Sequence, residues 1–452
     1  MAKLIDLLRL EDALTGPAVS VSGRVVKVTG LIVEALLPGA SVGATCEIEV
    51  YGSESIIAEC VGFHGERALL VPAGEVRGIR NGAIVQALAS TAEIPVGEEL
   101  LGRVVDSRMR PIDGGPPIRT AARAPLSRTP PPPMTRRRIG RTFATGVRVI
   151  DALLTCGEGQ RVAIMAGAGV GKSVLLGMLA RHCEADVIVV GLVGERGREV
   201  REFIERDLGE HGRARSVVVV ATGDTPPLER VHSASAATAI AEHFRAQGKK
   251  VLLLMDSLTR VAMALREIGL SADEPPTSKG YPPSVFAALP RLLERAGNDA
   301  GNGSITALYT VLVEGDDLTD PVADCARAAL DGHIVLARKL AAAGHFPAVD
   351  VLQSVSRVAL DITQAPQQKL ARDTRDALAA LAESSDLVDV GAYVAGSNPR
   401  VDNALAVRST LQGFLRQEPN ERSEYTQTLD ALQVALRPPA RRPELRREVP
   451  RA

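Results

Sequence analysis

Aromatic residues make up only 3% of the 452 positions, and tryptophan is absent. A platform for single-stranded nucleic acid needs a row of exposed rings. Between residues 19 and 90 Tyr51 and Phe63 stand alone, so no nucleic-acid partner is expected. Excess charge is lacking too: 53 basic and 54 acidic side chains leave a formal net charge of -1, which gives no global pull toward nucleic acid or anionic lipid. The five cysteines (Cys46, Cys60, Cys156, Cys183, Cys325) are scattered and odd in number, with no CxxC and no Cys/His cluster. Neither a zinc site nor a disulfide framework is indicated, and reduced thiols are expected. No apolar run approaches the roughly 20 residues of a membrane span. The opening "MAKLIDLLRLEDALTG" carries acidic residues inside its apolar pattern and has no small-residue cleavage site, so it does not read as a signal peptide. The expectation is a cytoplasmic protein whose contact with a membrane is peripheral.

What is present is ample core. Hydrophobic residues are 45% and charged residues 24% of the chain, an ordinary globular balance, and the length suggests about three domains. Leu4, Leu7, Leu8 and Leu10 give residues 1–18 an apolar helical face, either a docking segment or a cap on the next domain. Residues 19–95 alternate short β-rich runs with glycine-containing turns, the spacing of a small all-β barrel. Residues 96–144 read as a connector. Its "LGRVVDSRM" is a strand leading out of the barrel, and "APLSRTPPPPMTRRRIGRTF" cannot hold regular helix because four consecutive prolines remove donors and fix φ. From 145 to 365 strands and helices alternate ("RVAIMAG", "VIVVGLVG", "SVVVVAT", "VLLLMDS", "ITALYTVLV", "HIVLARKL"), the pattern of a parallel α/β core. Residues 366–436 read as a helical, alanine-rich domain, and 437–452 as a disordered tail.

The chemistry gathers in the α/β part. "MAGAGVGKSVLLGMLA" follows one strand and opens a helix. Gly167, Gly169 and Gly171 allow backbone N–H groups to turn around phosphate oxygens at a helix N-terminus. Lys172 would reach the β- and γ-phosphates and Ser173 would bind Mg²⁺. The nucleotide-binding stretch thus runs through Gly167, Ala168, Gly169, Val170, Gly171, Lys172, Ser173 and Val174. One position departs from the general GxxxxGK[ST] pattern, with Ala166 in place of the first glycine. "KKVLLLMDS" ends a buried strand on Asp256, placed to hold the Mg²⁺ shell opposite Ser173. Glu195, just after "VIVVGLVG", lies at the carboxyl end of a strand, where α/β sheets collect ligands. On the residues alone it is either the carboxylate that polarises an attacking water, from a strand beside the phosphate-loop strand, or a solvated turn residue.

The words "GERGREVREFIERDLG", "MDSLTRVAMALREIGL", "GYPPSVFAALPRLLERAGN", "YTVLVEGDDLTDPVAD", "LDGHIVLARKLA" and "HFPAVDVLQSVSR" resemble the RecA-like rotary and export ATPases. More narrowly, they resemble the type III export ATPases of injectisomes and flagella, over residues 19 to 414. The resemblance implies a RecA-like P-loop ATPase core with an N-terminal small β-barrel and a C-terminal helical domain, using ATP and Mg²⁺ and assembled as a homohexamer. It makes Glu195 the catalytic carboxylate and sets Arg196 near the phosphates. Arg357 becomes an arginine finger reaching the neighbouring subunit's site. Phe346 is implied to stack on adenine, with a core phenylalanine as the alternative, and Phe414 to form the other wall. The loop of Asp316, Asp317 and Asp320 is implied to approach a central stalk, although a solvated charged turn would look the same. Implied partners are that stalk, a peripheral stator or regulator, export chaperones with their secreted substrates, and an export gate at the membrane.

Other functions weigh less. A rotary ATP synthase catalytic subunit would carry an acidic lever where this chain has "VGAYVAGSNPRVDNAL". A Rho-type RNA translocase lacks its aromatic platform, and a non-catalytic subunit would lack Glu195. Between the two export systems, "REFIERDLG" and "ALREIGL" tilt the reading toward an injectisome, against the flagellar look of "ADVIVVGLVGERGREV" and "DPVAD".

Overall fold

The computed structural model describes residues 22–89, 92–313, 317 and 319–438. The expected docking segment 1–18, Asp316 and residues 439–452 of the expected tail lie outside the described residues. Strands β1 (Ser22–Thr29), β2 (Ile32–Leu36), β3 (Thr45–Ile48), β4 (Ile56–His64), β5 (Arg67–Pro72) and β6 (Ile84–Ala89) form a closed barrel in the order β1-β2-β5-β4-β3-β6. Period-two alternation sends Val25, Val33, Cys46, Ile48, Cys60 and Leu70 inward, as a small barrel requires. Burial there pushes the Cys46 thiol up to about 11, and Cys156 in the core up to about 12. All five cysteines are unpaired.

β7 (Glu93–Val96) pairs with β9 (Ala122–Pro125), whereas β8 (Val104–Asp106) leaves the barrel altogether and pairs in parallel with β12. This corrects the reading of residues 96–144 as a mere connector. Val104 and Val105 point to opposite faces and enter the two cores of the main sheet. That sheet contains β10 (Arg161–Ala166), β11 (Val187–Val193), β12 (Ser216–Ala221), β13 (Lys250–Asp256), β14 (Gly297–Asn298), β15 (Ser304–Leu312), β16 (Gly332–Leu336) and β17 (Val349–Ser356). Its order is β17-β16-β10-β15-β13-β11-β12-β8, with β14 attached to β15. Only β14 and β17 run antiparallel to their neighbours. Strands such as β11 are buried along their whole length, because helices cover both faces of a parallel sheet. Ala163 and Met165 face the core built with helix Pro227–Ala246, while Val162, Ile164 and Ala166 face the one built with helix Lys172–His182.

The helical part, Ala365–Asp389, Pro399–Leu415 and Tyr425–Ala435, packs on this second side, and Leu411 and Leu432 join the core of the phosphate-loop helix. The strand order also corrects one expectation. β11 does not lie beside β10, because β15 and β13 stand between them. Parallel crossovers can place consecutive strands apart, and hydrophobic runs carry no record of which neighbour they take.

Candidate active site

β10 ends at Ala166, and the chain turns through Gly169 (φ 76°) and Gly171 (φ 89°) into helix Lys172–His182. These left-handed backbone angles favour glycine. Ala166 is the last residue of the strand, paired with Leu312 and Leu336. A strand position accepts an L side chain, which explains why the pattern's first glycine is dispensable here. Gly171 is the N-cap and offers no side-chain cap, so the first N–H groups of the helix are left for an anion.

Lys172 heads that helix. Its Nζ donates to Asp256 Oδ1 at 2.6 Å and to Glu195 Oε1 at 3.0 Å. Three strand ends therefore meet at one ammonium: β10 through its loop, β11 through the Gly194 turn, and β13 directly. All three side chains are largely buried, at 13%, 12% and 5% exposure for Lys172, Glu195 and Asp256. Burial opposes the charge on Lys172, but the carboxylates of Asp256 and Glu195 outweigh it and hold the ammonium above its ordinary value. Burial likewise pushes the Asp256 carboxyl up, while the ammonium pulls it back. Ser173 follows on the same turn, half-buried.

The residues fit a nucleotide carrying a divalent cation. A triphosphate that takes over Lys172 leaves Asp256 and Glu195 without their cation, and a hard dication brought in with the phosphates restores the balance. Among the described residues no cluster of three or more His, Cys, Asp or Glu could cage a metal. Mg²⁺ needs none, since it binds through one or two protein oxygens, waters and phosphates.

Beyond the phosphate loop a cleft of about 410 Å³ opens between Phe346–Pro347 on one side and Arg416–Pro419 on the other, with Val174 and Met178 at its base. Phe346 is 44% exposed, and its ring lies so close to Gly171 that a Cβ there would sit 3.3 Å from Cε1. It is therefore not a core phenylalanine. Phe414 is, and its assignment to the opposite wall is corrected. At 6% exposure it packs with Leu411 on the buried stripe of helix Pro399–Leu415, and the wall begins two residues later.

Two other anticipated groups stay away from the ammonium. Arg196 is 84% exposed and pairs with Glu199 at 3.5 Å. Arg357 is exposed, with Nη2 donating to the carbonyl of Arg327 at 3.0 Å. β17 runs antiparallel to β16, so Ser356 pairs with Gly332 at the start of that strand, whereas Ala166 pairs with Leu336 at its end. Those four residues are roughly 13 Å at 3.3 Å per residue. Arg357 thus lies at the opposite end of the sheet from its own phosphate loop. In the acidic loop, Asp317 and Asp320 face Lys279 at 3.3 and 3.5 Å, and Asp320 also caps helix Pro321–Ala329.

Several contributors were not anticipated. Thr310 Oγ1 donates to Asp256 Oδ1 at 2.6 Å; its only trace in the sequence is a polar residue inside an apolar strand. Arg260 packs against Gly194, next to Glu195, and its buried Nε has no hydrogen-bond partner among the described residues. Its signal was a cation in the first turn after Asp256. For the Arg416–Pro419 wall there was no signal.

Comparison with known proteins divides the chain into the same three parts. The beta-barrel domain of the ATP synthase alpha/beta family matches residues 25–89, and the nucleotide-binding domain of that family matches 146–356. The T3SS EscN ATPase C-terminal domain matches 363–434. The flagellum-specific ATP synthase of Salmonella typhimurium is 51% identical over 429 residues, covering 92% of this chain and 94% of that protein. The type 3 secretion system ATPase of Sinorhizobium fredii is 50% identical over 410 residues, covering 90% and 91%. The assembled ATPase EscN from the enteropathogenic E. coli type III secretion system superposes with a TM-score of 0.87 at 42% identity, over 92% of this chain and 100% of that one. EscN in complex with its central stalk EscO gives 0.85 at 41%, with the same coverage. Relatives named for flagella and for secretion systems stand at almost equal identity, and all are ATPases or ATP synthases by name. On these matches the chain belongs to the type III secretion and flagellar export ATPase family, related to the ATP synthase alpha/beta family.

Proposed function

We propose that this ATPase works as a homohexamer with Mg²⁺-bound ATP, and that hydrolysis releases chaperones from export substrates and unfolds them for a type III gate. The observation that carries the reading is the Lys172 ammonium held between Glu195 and Asp256. Incoming phosphates would draw Lys172 to themselves. Glu195, freed of its cation, then orients a water and accepts its proton. Asp256, fixed by Thr310, and Ser173 would hold Mg²⁺, which when bound would supply charge neutralisation at the phosphates. Arg260 adds a second cation beside Glu195, and Arg196 meets the phosphate region from the solvent side after leaving Glu199. The cleft beside Phe346 takes the adenine.

Arg357 serves the neighbouring copy. Its distance from its own phosphate loop supports that reading, as does the planar guanidinium, which meets several equatorial oxygens at once. The assembled form of EscN and its complex with a central stalk support a ring around such a stalk here, with the Asp317–Asp320 loop facing it. The remaining partners are those of the family: a peripheral stator or regulator, chaperones, substrates and a membrane gate. No helix among the described residues is long and apolar enough to cross a membrane, so attachment at the gate would be peripheral. Between the two systems we assign the injectisome, on "REFIERDLG" and "ALREIGL". Deleting the gene should then abolish effector secretion and leave motility intact.

Mixing two dead proteins tests the shared site. Arg357→Ala should bind ATP but turn over slowly, since an arginine finger is worth roughly 10³ to 10⁵ in rate. Lys172→Ala should fail at phosphate binding while keeping its finger. Under subunit exchange, some interfaces regain an intact loop and an intact finger, so hydrolysis should recover and peak at intermediate ratios. A linked dimer with both lesions on one half separates this from a finger acting within its own chain, because only the latter keeps a complete site on the intact half.

A further inference from the structure

The base end of the cleft depends on Gln417, a residue that no motif marks. It is 4% exposed, and its carboxamide is saturated. Oε1 accepts from the Arg148 N–H at 2.8 Å, and Nε2 donates to the carbonyls of Gly146 at 2.8 Å and Glu421 at 2.7 Å. Its own backbone N–H donates to the carbonyl of Phe346 at 3.0 Å. One residue therefore ties the Arg416–Pro419 wall to the Phe346 wall and both to the core. We infer that Gln417 is a positioning residue that sets the gap between the two walls, and with it the affinity for the base. The inference rests on the reading of this cleft as the base site.

The anchor beneath it cannot yield. Gly146 has φ 74°, and a Cβ there would meet His182 Cβ at 2.5 Å. Its N–H donates to the fully buried Asp151 at 2.9 Å. The Gly146 carbonyl is thus a fixed point from which the wall is hung. Only a carboxamide of this length offers one acceptor and two donors in that arrangement. Glutamate would face two carbonyls without a donor, asparagine is a methylene short, and methionine keeps the shape but takes the partner from the Arg148 N–H and the Glu421 carbonyl and leaves the Gly146 carbonyl only the Ser423 N–H at 3.4 Å.

The test is steady-state hydrolysis and competitive inhibition by tripolyphosphate, which has no base. Gln417→Glu should raise the KM for ATP about tenfold while kcat stays within about twofold of the parent. The tripolyphosphate inhibition constant should not move, because the Lys172 loop is untouched. The KM of the variant should fall toward the parent's as the pH is lowered, when a protonated carboxyl regains one donor. Should the glutamate variant not fold, Gln417→Met is expected to show about a fivefold rise with no pH rescue. A folded variant with unchanged KM overturns the inference. So does an equal loss of tripolyphosphate affinity, which would mark general damage. Phe346→Ala separates the layers. If it leaves the KM for ATP unchanged, the base-site reading itself fails; if it raises the KM while the Gln417 variants do not, only the role of Gln417 is lost.

Discussion

At the glycine-loop end of the site, Lys172 heads the helix that follows β10, and Glu195 and Asp256 follow or end β11 and β13, strands of the same buried sheet. At the cleft end, Phe346 and Arg416–Pro419 belong to two loops, one from the core and one from the helical part, joined by hydrogen bonds through Gln417. The first end is held by packing on both faces of every strand and by charges that already satisfy one another. The second is held by hydrogen bonds between loops and core, those of Gln417 among them. Chemistry that needs exact placement sits on strand ends, and the walls of the cleft sit on loops.

Lys172→Ala should break the rigid end most completely. It removes the phosphate ligand and leaves two buried carboxylates facing each other. ATP affinity should drop at least about a hundredfold, since charged hydrogen bonds are worth about 1.5–3 kcal/mol each, as a nucleotide titration would show. It also predicts a pH signature. With the ammonium gone, burial and the nearby Glu195, both of which already raise Asp256, are opposed only by the Thr310 hydrogen bond. A carboxyl whose folded pKa lies above its unfolded value favours the fold at low pH and loses that contribution as the pH rises through the folded value. Thermal melts at pH 5 and pH 8 should therefore show a larger deficit against the parent at pH 8. An equal deficit at both would show that losing the ammonium does not raise the Asp256 carboxyl.

A milder break at the same end is Thr310→Val, which keeps the shape and removes the 2.6 Å bond to Asp256. Turnover should fall about tenfold with the KM little changed, the expected cost of one buried charged hydrogen bond. If turnover is unaffected, Asp256 is held by packing alone. The smallest effect should come from Arg196→Ala. An exposed ion pair such as Arg196–Glu199 adds almost nothing to stability, so the melting temperature should stay put while turnover falls about threefold. A large loss would place Arg196 among the essential groups.

The two ends also differed in how far they could be read from sequence. Short apolar runs alternating with helical stretches marked β10, β11, β12, β13, β15 and β16, and alternation with turns marked the barrel, because local pattern and burial coincide there. The glycine loop and the Asp256 strand end were legible for the same reason. Strand order was not: nothing in "VIVVGLVG" states that β13 and β15 separate it from β10. β8 was misjudged because a three-residue strand carries too little pattern to show which sheet it joins. Phe414 was misplaced because nothing in the sequence states which face of helix Pro399–Leu415 turns to the core, and the wall itself begins past the helix end at Arg416. Gln417 was invisible, because two of its bonds reach backbone groups about 270 residues away and a third reaches the Phe346 loop.

The mechanism stands or falls on Glu195 activating water, beyond neutralising Lys172. Glu195→Gln keeps the side chain's size, its reach and one acceptor toward Lys172 while removing the base. Nucleotide affinity and hexamer formation measured beside steady-state hydrolysis should show binding and assembly close to the parent, with turnover reduced about 10²- to 10⁴-fold. Turnover within a few-fold of the parent, with binding intact, would contradict that role and leave Glu195 as a counter-ion only.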